Sequence, residues 1–168
     1  MSEATGPEPI RVAALQIETP DDERLAARLE RVTAMIAALP AVDLILLPEI
    51  WNIGYFNFDR YAAEAEAASG QTATALAAAA GGKGAYLLAG SIVERDGDDL
   101  FNVSLLFDRA GNLVASYRKI HLFGYGSAET RLLKPGREVV TAATDFGVVG
   151  LSTCYDLRFP ELYRRQVD

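Results

Sequence analysis

The sequence has 168 residues, the length of one domain, and its 50% hydrophobic and 23% charged residues are typical of a globular chain. Its formal net charge of -7 argues against a nucleic-acid partner, because phosphate binding needs a clustered basic surface. No apolar run approaches the ~20 residues of a membrane span, and residues 1–9 lack the basic start and apolar core of a signal peptide.

The first half of the sequence predicts alternating strands and helices. Strands are predicted over Ile10 to Ile17 and Val42 to Leu47, and helices over Pro20 to Leu39 and Gln71 to Ala80. Thr19 can cap the first helix and Pro40 ends it, while Gly81-Gly82 supplies a stop for the second. Residues 1–9 are polar and contain proline, so we expect a flexible N-terminus there.

The second half predicts hairpins and a final helix. Strand-like runs cover Tyr86 to Val93, Phe101 to Phe107, Leu113 to Tyr117, Val139 to Thr141 and Phe146 to Ser152. Asp96-Gly97 and Ala110-Gly111-Asn112 are hairpin turn signals between the first three runs, and Pro160 lies in the first turn of a helix that opens at Phe159. Together with the earlier strand–helix units, this pattern predicts an α/β domain with helices packed on a mixed sheet.

Three residues of complementary chemistry stand where predicted strands end: Glu49, Lys119 and Cys154. Ligands of open α/β sheets gather outside the carboxyl ends of strands, so these side chains converge if their strands are neighbours that run the same way. Glu49 could accept the thiol proton of Cys154 as a general base. Lys119 could stabilise the resulting anion, and also the oxyanion that forms when a thiolate attacks a carbonyl.

Each of these residues also has an ordinary structural interpretation. A lone cysteine after an apolar strand is commonly a small buried hydrophobe, and a glutamate or lysine at a strand end is commonly a cap or a solvated charge. The triplet Asn102-Val103-Ser104 matches a glycosylation acceptor, but nothing in the sequence indicates secretion. The single cysteine excludes an internal disulfide and suits a cytoplasmic compartment, and the single histidine, His121, leaves no zinc cluster.

Three motifs around these residues resemble those of the nitrilase superfamily of carbon-nitrogen hydrolases. They are Leu47-Pro48-Glu49-Ile50-Trp51-Asn52-Ile53-Gly54-Tyr55, Tyr117-Arg118-Lys119-Ile120-His121-Leu122-Phe123 and Ser152-Thr153-Cys154-Tyr155-Asp156-Leu157-Arg158-Phe159-Pro160-Glu161-Leu162-Tyr163-Arg164. They occur in the order typical of the family, and Glu129, followed by Pro135-Gly136, matches the second glutamate that many members place beside the lysine. The resemblance extends over essentially the whole chain from Ile10 onward.

The resemblance implies a four-layer αββα sandwich with a Cys–Glu–Lys site that needs no metal or cofactor. The lysine and cysteine motifs are more similar to those of amidases and ω-amidase-like members than to those of true nitrilases. Because family members continue well beyond the position of Asp168, residues 10–168 are interpreted as the N-terminal portion of a single domain that is incomplete at its C-terminus. For the full-length protein, the resemblance also implies a homo-oligomer.

The hypothesis that follows is hydrolysis of a small-molecule amide through a cysteine thioester, with Glu49 as base, Cys154 as nucleophile and Lys119 as oxyanion donor. Supporting roles are expected for Glu129 beside the lysine, Tyr155 through its backbone N–H, and Tyr55 and Trp51 on the pocket wall. Asp156 and Arg158 are expected in a local polar network. Two alternatives remain open: an inactive fragment or interaction module, and related chemistry such as N-carbamoyl cleavage, nitrile hydrolysis or amide-group transfer.

Overall fold

The structure, a computed structural model, describes residues 9–168. The expected flexible N-terminus over residues 1–9 therefore lies outside the described residues, apart from Pro9, and stays a prediction. The strands are β1 (Val12–Ala14), β2 (Leu44–Leu46), β3 (Tyr86–Leu88), β4 (Ile92–Asp96), β5 (Asp99–Phe107), β6 (Leu113–Arg118), β7 (Thr141–Thr144) and β8 (Gly147–Gly150). The helices are α1 (Leu25–Ala38), α2 (Tyr61–Glu64), α3 (Gln71–Lys83), α4 (Glu129–Leu132) and α5 (Pro160–Val167), with a 3-10 helix over Cys154–Arg158.

Six of the strands form one mixed sheet. The strands β1, β2 and β3 are parallel, and β5 runs antiparallel to β3. β3 and β4 pair with the same side of β5, β3 near its C-terminal end and β4 near its N-terminal end. β6 pairs with the opposite side of β5. Because β6 is antiparallel to β5, it runs in the same direction as β2, so both strands finish at the same end of the sheet. β7 and β8 form a separate two-stranded sheet.

Side chains of the central strands alternate between two hydrophobic cores, as the pleat of a strand requires. The core shared with α1 and α3 contains Ile45, Leu87, Val103, Leu105 and Phe107. The core shared with the second sheet and α5 contains Tyr86, Leu106, Tyr117, Ala142, Leu151 and Leu162. The main sheet therefore has helices on one face and the β7–β8 sheet on the other. The α/β class is confirmed, and this order of layers is consistent with the predicted αββα sandwich.

The predicted start of the first helix at Pro20 is wrong, because α1 begins at Leu25. Arg28 accounts for the difference: its buried guanidinium donates to the Pro20 carbonyl at 2.6 Å and to the Glu23 carboxylate at 2.8 Å. Glu23 also accepts hydrogen bonds from Arg31 at 2.8 and 2.7 Å. The acidic side chain is therefore engaged by two arginines, and the segment before α1 is held as a turn.

The predicted stop of α3 at Gly81-Gly82 is also wrong, since the helix continues to Lys83 and ends at Gly84 with φ 65°. Gly81 instead permits close packing, because a Cβ there would lie 3.1 Å from the Ala110 carbonyl oxygen. The predicted strand over Tyr86 to Val93 divides into β3 and β4. None of the helices within residues 9–168 is both long and apolar enough to cross a membrane.

Candidate active site

Glu49 lies in the turn after β2, and a close backbone contact fixes that turn. The Pro48 carbonyl accepts the Ser91 N–H at 3.1 Å, and the Ile50 N–H donates to the Ser91 hydroxyl at 3.1 Å. Gly90 permits this approach, because at its φ of 64° a Cβ would lie 1.8 Å from the Pro48 oxygen. The turn is thereby tied to the segment between β3 and β4, and 17% of the Glu49 side chain stays exposed.

Lys119 directly follows β6, at the end of the sheet where β2 also ends. Its N–H donates to the Asn102 carbonyl on β5 at 2.8 Å, and its own carbonyl accepts the Gly136 N–H at 2.8 Å. A Cβ on Gly136 would lie 2.0 Å from the Arg118 carbonyl oxygen, so a larger residue would force this segment away. The Lys119 side chain is completely buried.

The Lys119 ammonium joins two glutamates at the centre of the site. Its Nζ lies 2.8 Å from Glu49 Oε1 and 3.0 Å from both Oε1 and Oε2 of Glu129. Burial by itself would lower the pKa of Lys119, but the charges and hydrogen bonds of Glu49 and Glu129 outweigh burial and raise that pKa above its usual range. The lysine therefore stays charged, and one ammonium serves two carboxylates.

Asn102 belongs to this site and was not identified from the sequence. It is 1% exposed, and its Nδ2 donates to Glu49 Oε1 at 2.8 Å and to Glu129 Oε1 at 3.0 Å. Its burial rules out the glycosylation that the triplet Asn102-Val103-Ser104 would allow in an exposed loop. The available signal was the alternation within β5, where Asn102 and Ser104 place polar groups on one face of a strand whose other face is apolar.

Cys154 reaches the site from the second sheet rather than from the main one. It follows β8 and begins the 3-10 helix, in which Thr153 and Asp156 form a capping box. The Thr153 hydroxyl is also 2.9 Å from the hydroxyl of Ser104 on β5. Cys154 therefore does not meet the condition that the candidate residues follow neighbouring strands of one sheet, and these contacts hold the cysteine turn against the main sheet instead.

Two residues at the site have strained backbones. Among the described residues other than glycine, Ile50 and Cys154 are the ones in the left-handed region, with φ of 46° and 50°. Such a conformation costs about 1–3 kcal/mol and persists only where the surrounding structure imposes it. One of these residues directly follows Glu49 and the other carries the thiol, so the strain is concentrated where the candidate reactive groups are presented.

The Cys154 thiol lies beside the Glu49 carboxylate. Although the residue is exposed, desolvation of the sulfur raises the pKa of Cys154, and the charge and hydrogen bond of Glu49 raise it further, to about 11. The Lys119 charge lowers the pKa of Cys154 and the Glu129 charge raises it. Desolvation and Glu49 are the larger causes, so the pKa stays raised. Near neutral pH the side chain of Cys154 is therefore a thiol beside Glu49, and not a preformed thiolate.

Of the two residues expected on the pocket wall, the structure places Tyr55 at the site and Trp51 in the core. The Tyr55 hydroxyl donates to Glu129 Oε2 at 3.4 Å and lies 3.2 Å from the Ser127 hydroxyl, and burial raises the pKa of Tyr55 to about 12. Trp51 is 1% exposed within the core under α1 and α3. Its indole N–H donates to the Ala89 carbonyl at 2.8 Å, so its polar atom is also used there.

Asp156 ties the cysteine turn to the lysine segment. The carboxylate is fully buried and accepts hydrogen bonds from the Tyr117 hydroxyl at 2.6 Å and from the His121 N–H at 3.0 Å. It also lies 2.7 Å from His121 Nδ1. These contacts agree with the local polar network expected for Asp156, whereas the Arg158 side chain is exposed and makes no hydrogen bond or ion pair within residues 9–168.

Tyr155 is in the first turn of the 3-10 helix, where backbone N–H groups lack acceptors within the helix. Its ring packs edge-on against Phe123 and Phe159, with centroids 5.1 and 5.5 Å apart. The Phe123 N–H donates to Glu129 Oε2 at 2.7 Å, so the segment that touches Tyr155 also holds the second glutamate. Within residues 9–168, no three His, Cys, Asp or Glu side chains are grouped so that they could hold a metal ion.

These features match a known family. The family model described as "Carbon-nitrogen hydrolase" matches residues 11–167. The chain belongs to this family. The resemblance to the nitrilase superfamily that the three motifs predicted is thereby confirmed.

Several relatives within the carbon-nitrogen hydrolase family are amidases by name. The chain is 40% identical over 161 residues to the 2-oxoglutaramate amidase of Paenarthrobacter nicotinovorans, which covers 91% of this chain and 55% of the relative. It is 37% identical over 134 residues to human omega-amidase NIT2, covering 75% of this chain and 48% of the relative. These similarities support the predicted amidase and ω-amidase-like branch.

A solved carbon-nitrogen hydrolase structure supports the fold. The crystal structure of Saccharomyces cerevisiae Nit3, a member of branch 10 of the nitrilase superfamily, matches with a TM-score of 0.83 and 30% sequence identity. The match covers 94% of this chain and 59% of Nit3. The chain thus spans about half the length of the curated relatives that it matches.

Proposed function

We propose that the protein hydrolyses the primary amide of a small molecule to a carboxylic acid and ammonia, through a thioester on Cys154. The observation that carries this proposal is the meeting of a thiol, a carboxylate and a buried ammonium at one end of the main sheet. The thiol of Cys154 lies beside Glu49, and the Lys119 ammonium is 2.8 Å from the same carboxylate. These are the groups that a nucleophile, its base and an oxyanion donor require.

The first half-reaction forms the thioester. Because the pKa of the Cys154 thiol is about 11, the thiol keeps its proton at rest, and Glu49 takes that proton when the sulfur attacks the amide carbon. A C–S bond forms, and the carbonyl oxygen becomes an oxyanion beside the Lys119 ammonium and the Tyr155 backbone N–H. Glu49 then gives the proton to the nitrogen, the C–N bond breaks and ammonia leaves.

The second half-reaction returns the enzyme to its starting state. Glu49, again a carboxylate, takes a proton from a water molecule as the water oxygen attacks the thioester carbon. The C–S bond breaks, the carboxylic acid leaves, and the proton returns from Glu49 to the sulfur of Cys154. One water is consumed and no electrons are transferred, so the residues in the site account for the whole reaction.

Glu129 keeps the Lys119 ammonium in place for the oxyanion. The two Glu129 oxygens can share one ammonium proton and Glu49 takes a second, which leaves a third for the substrate. Glu129 is itself completely buried and held by donors, including the Phe123 N–H at 2.7 Å. Loss of one oxyanion donor typically lowers kcat about 10²- to 10³-fold, so this arrangement is worth several kcal/mol to the reaction.

We further propose that the substrate is the ω-amide of a small dicarboxylic acid. The support is similarity: two relatives that are 40% and 37% identical carry the names 2-oxoglutaramate amidase and omega-amidase. A suitable panel contains 2-oxoglutaramate, succinamate, a neutral aliphatic amide, an N-carbamoyl amino acid and a nitrile. Preference for the first two supports the substrate class, whereas preference for the N-carbamoyl compound or the nitrile contradicts it.

The activity is tested with Cys154→Ala and Cys154→Ser in the natural full-length protein. Both variants should release no ammonia from amides that the parent hydrolyses. Ser152→Ala is the matched control, because it removes a neighbouring hydroxyl that accepts a hydrogen bond from Tyr163 at 3.1 Å and has no part in the scheme. Ammonia release at the parent rate by Cys154→Ala would refute the proposal.

The thioester is tested by mass spectrometry of the protein quenched during turnover. The mass increase should equal the acyl group of the amide, and peptide mapping should place it on Cys154. Hydroxylamine should remove the adduct as the hydroxamic acid, as expected of a thioester. An adduct on another residue would contradict the assigned nucleophile.

A further inference from the structure

The two carboxylates of the site are not equivalent in their hydrogen bonds. Glu129 is completely buried, and both of its oxygens are occupied: Oε1 by Lys119 and Asn102, and Oε2 by Lys119, Phe123 and Tyr55. Both oxygens of this side chain are therefore engaged by donors, and neither is free to meet the thiol.

Glu49 differs because its donors reach one oxygen only. Both Lys119 Nζ and Asn102 Nδ2 lie 2.8 Å from Oε1 of Glu49. Within residues 9–168, no nitrogen or hydroxyl donor is hydrogen-bonded to Oε2, on the side chain that remains 17% exposed. The fixed oxygen orients the carboxylate, and the other oxygen is left to exchange protons with the thiol and with water.

Asn102 is the neutral side chain that links these two carboxylates. Its single Nδ2 atom donates to Oε1 of both Glu49 and Glu129, at 2.8 and 3.0 Å. Two carboxylates this close repel each other, and one ammonium offsets only one of the two charges. An amide contributes two further N–H donors without adding a charge that would lower the basicity of Glu49 as a second lysine would.

The Oδ1 atom of Asn102 gives an independent indication. It is buried and finds no hydrogen-bond partner among residues 9–168. A buried acceptor without a partner lowers stability, so packing of the fold alone does not explain an asparagine at this position in β5. Its placement is explained by the two donors that it directs at Glu49 and Glu129.

We propose that Asn102 is a positioning residue of the reaction: it holds Glu49 by Oε1, apart from Glu129, so that Oε2 accepts the proton of Cys154. This inference rests on the proposed function, because the proton transfer from Cys154 to Glu49 is a step of the proposed hydrolysis. The contact itself, and its effect on the Glu49 carboxylate, can be measured without any substrate.

The test is Asn102→Ala in the natural full-length protein, with Asn52→Ala as the matched control. Asn52 is also 1% exposed and also has a buried Oδ1 without a partner among the described residues, but its Nδ2 donates to Glu66 and not to Glu49 or Glu129. The Glu49 carboxyl is followed by ¹³C NMR of protein labelled at the glutamate side-chain carboxyl, and its signal is identified by its loss in Glu49→Gln.

In Asn102→Ala the Glu49 signal should titrate at a higher pH than in the parent, because the charged form has lost a donor. The acidic limb of the pH profile of kcat/KM should move in the same direction, and kcat/KM near neutral pH should fall ~10-fold or more. Asn52→Ala should leave both titrations unchanged. A role in folding alone would not move the titration of Glu49.

The remaining outcomes each decide the question. An unchanged Glu49 titration in folded Asn102→Ala overturns the proposal, as does a shifted titration with unchanged kcat/KM. If Asn102→Ala does not fold, Asn102→Leu is used instead, because leucine fills the volume without the donors. If neither variant folds while Asn52→Ala does, Asn102 is needed for folding and the proposal is overturned. A parent protein that hydrolyses no amide refutes the proposed function, and the carboxyl titration then still decides whether Asn102 acts on Glu49.

Discussion

Replacing Glu49 with glutamine should make Cys154 easier to ionise and, at the same time, abolish amide hydrolysis. The pKa of the thiol is about 11 instead of its ordinary 9.0, first because of desolvation and then because of the charge and hydrogen bond of Glu49. At pH 9 a thiol with a pKa of about 11 is ~1% thiolate, whereas an ordinary one is about half ionised. Removing every cause of the shift would thus raise the thiolate fraction ~50-fold.

Glu49→Gln removes one cause and leaves desolvation in place, so the expected gain at pH 9 is smaller, about 3- to 30-fold. The assay is the rate of alkylation of Cys154 by iodoacetamide between pH 7 and 10, with Cys154→Ala as the blank and Glu30→Gln, an exposed position on α1, as the control. Amide hydrolysis by Glu49→Gln should be lost because no base is left for the thiol and the water. Alkylation at pH 9 no faster than in the parent would refute the electrostatic reasoning.

Three further substitutions test how the site is supported. Glu23→Gln should lower the free energy of unfolding by about 3 kcal/mol, because it leaves the buried Arg28 without its carboxylate. Since the folded pKa of Glu23 is about 2, this loss should be complete above pH 4.5 and should disappear as the pH falls toward 2, as urea denaturation at several pH values would show. Gly90→Ala should abolish folding or activity, because the new Cβ would lie 1.8 Å from a backbone carbonyl, whereas Gly82→Ala, where a Cβ meets nothing within 4 Å, should be tolerated in a thermal melt. Asp156→Asn should destabilise the fold by about 2 kcal/mol and lower kcat, because it weakens hydrogen bonds from a tyrosine hydroxyl and two backbone N–H groups; an unchanged melting temperature would contradict this.

Glu49 and Lys119 meet at one end of the main sheet, as their positions at predicted strand ends allow. Glu49 and Lys119 follow β2 and β6, which run in the same direction in one sheet, although β3 and β5 lie between them. Their side chains meet because a glutamate and a lysine are long and because Asn102 on β5 bridges the gap. Cys154 does not follow a strand of this sheet, because within residues 9–168 β8 pairs with β7 in the second sheet. Strand pairing depends on contacts far apart in the chain, and the hydrophobic pattern of a single strand does not specify them.

Polar residues inside apolar strands are a sequence signal for buried parts of the site, and Asn102 is the example here. Asn102 lies in a strand with one apolar face, and in isolation its triplet suggests a surface site. A buried amide without a charged neighbour is costly, so its presence there indicates a partner elsewhere in the chain. The sequence does not show that the partners are Glu49 and Glu129, because that requires the register of β5 against β6 and the course of the loop that leads to α4.

The backbone at the site shows why local rules fail where the chemistry is expected. Ile50 and Cys154 adopt left-handed conformations, which branched and bulky side chains disfavour and which propensity does not predict. Each is held by contacts from another part of the chain, Ile50 by Ser91 and the cysteine turn by Asp156. Ile50→Gly would relieve the strain but would also remove a completely buried side chain, so the free energy of unfolding should fall by about 3 kcal/mol or more. A gain in stability on urea denaturation would contradict this and would show that the strain of the left-handed turn exceeds the contribution of the buried side chain.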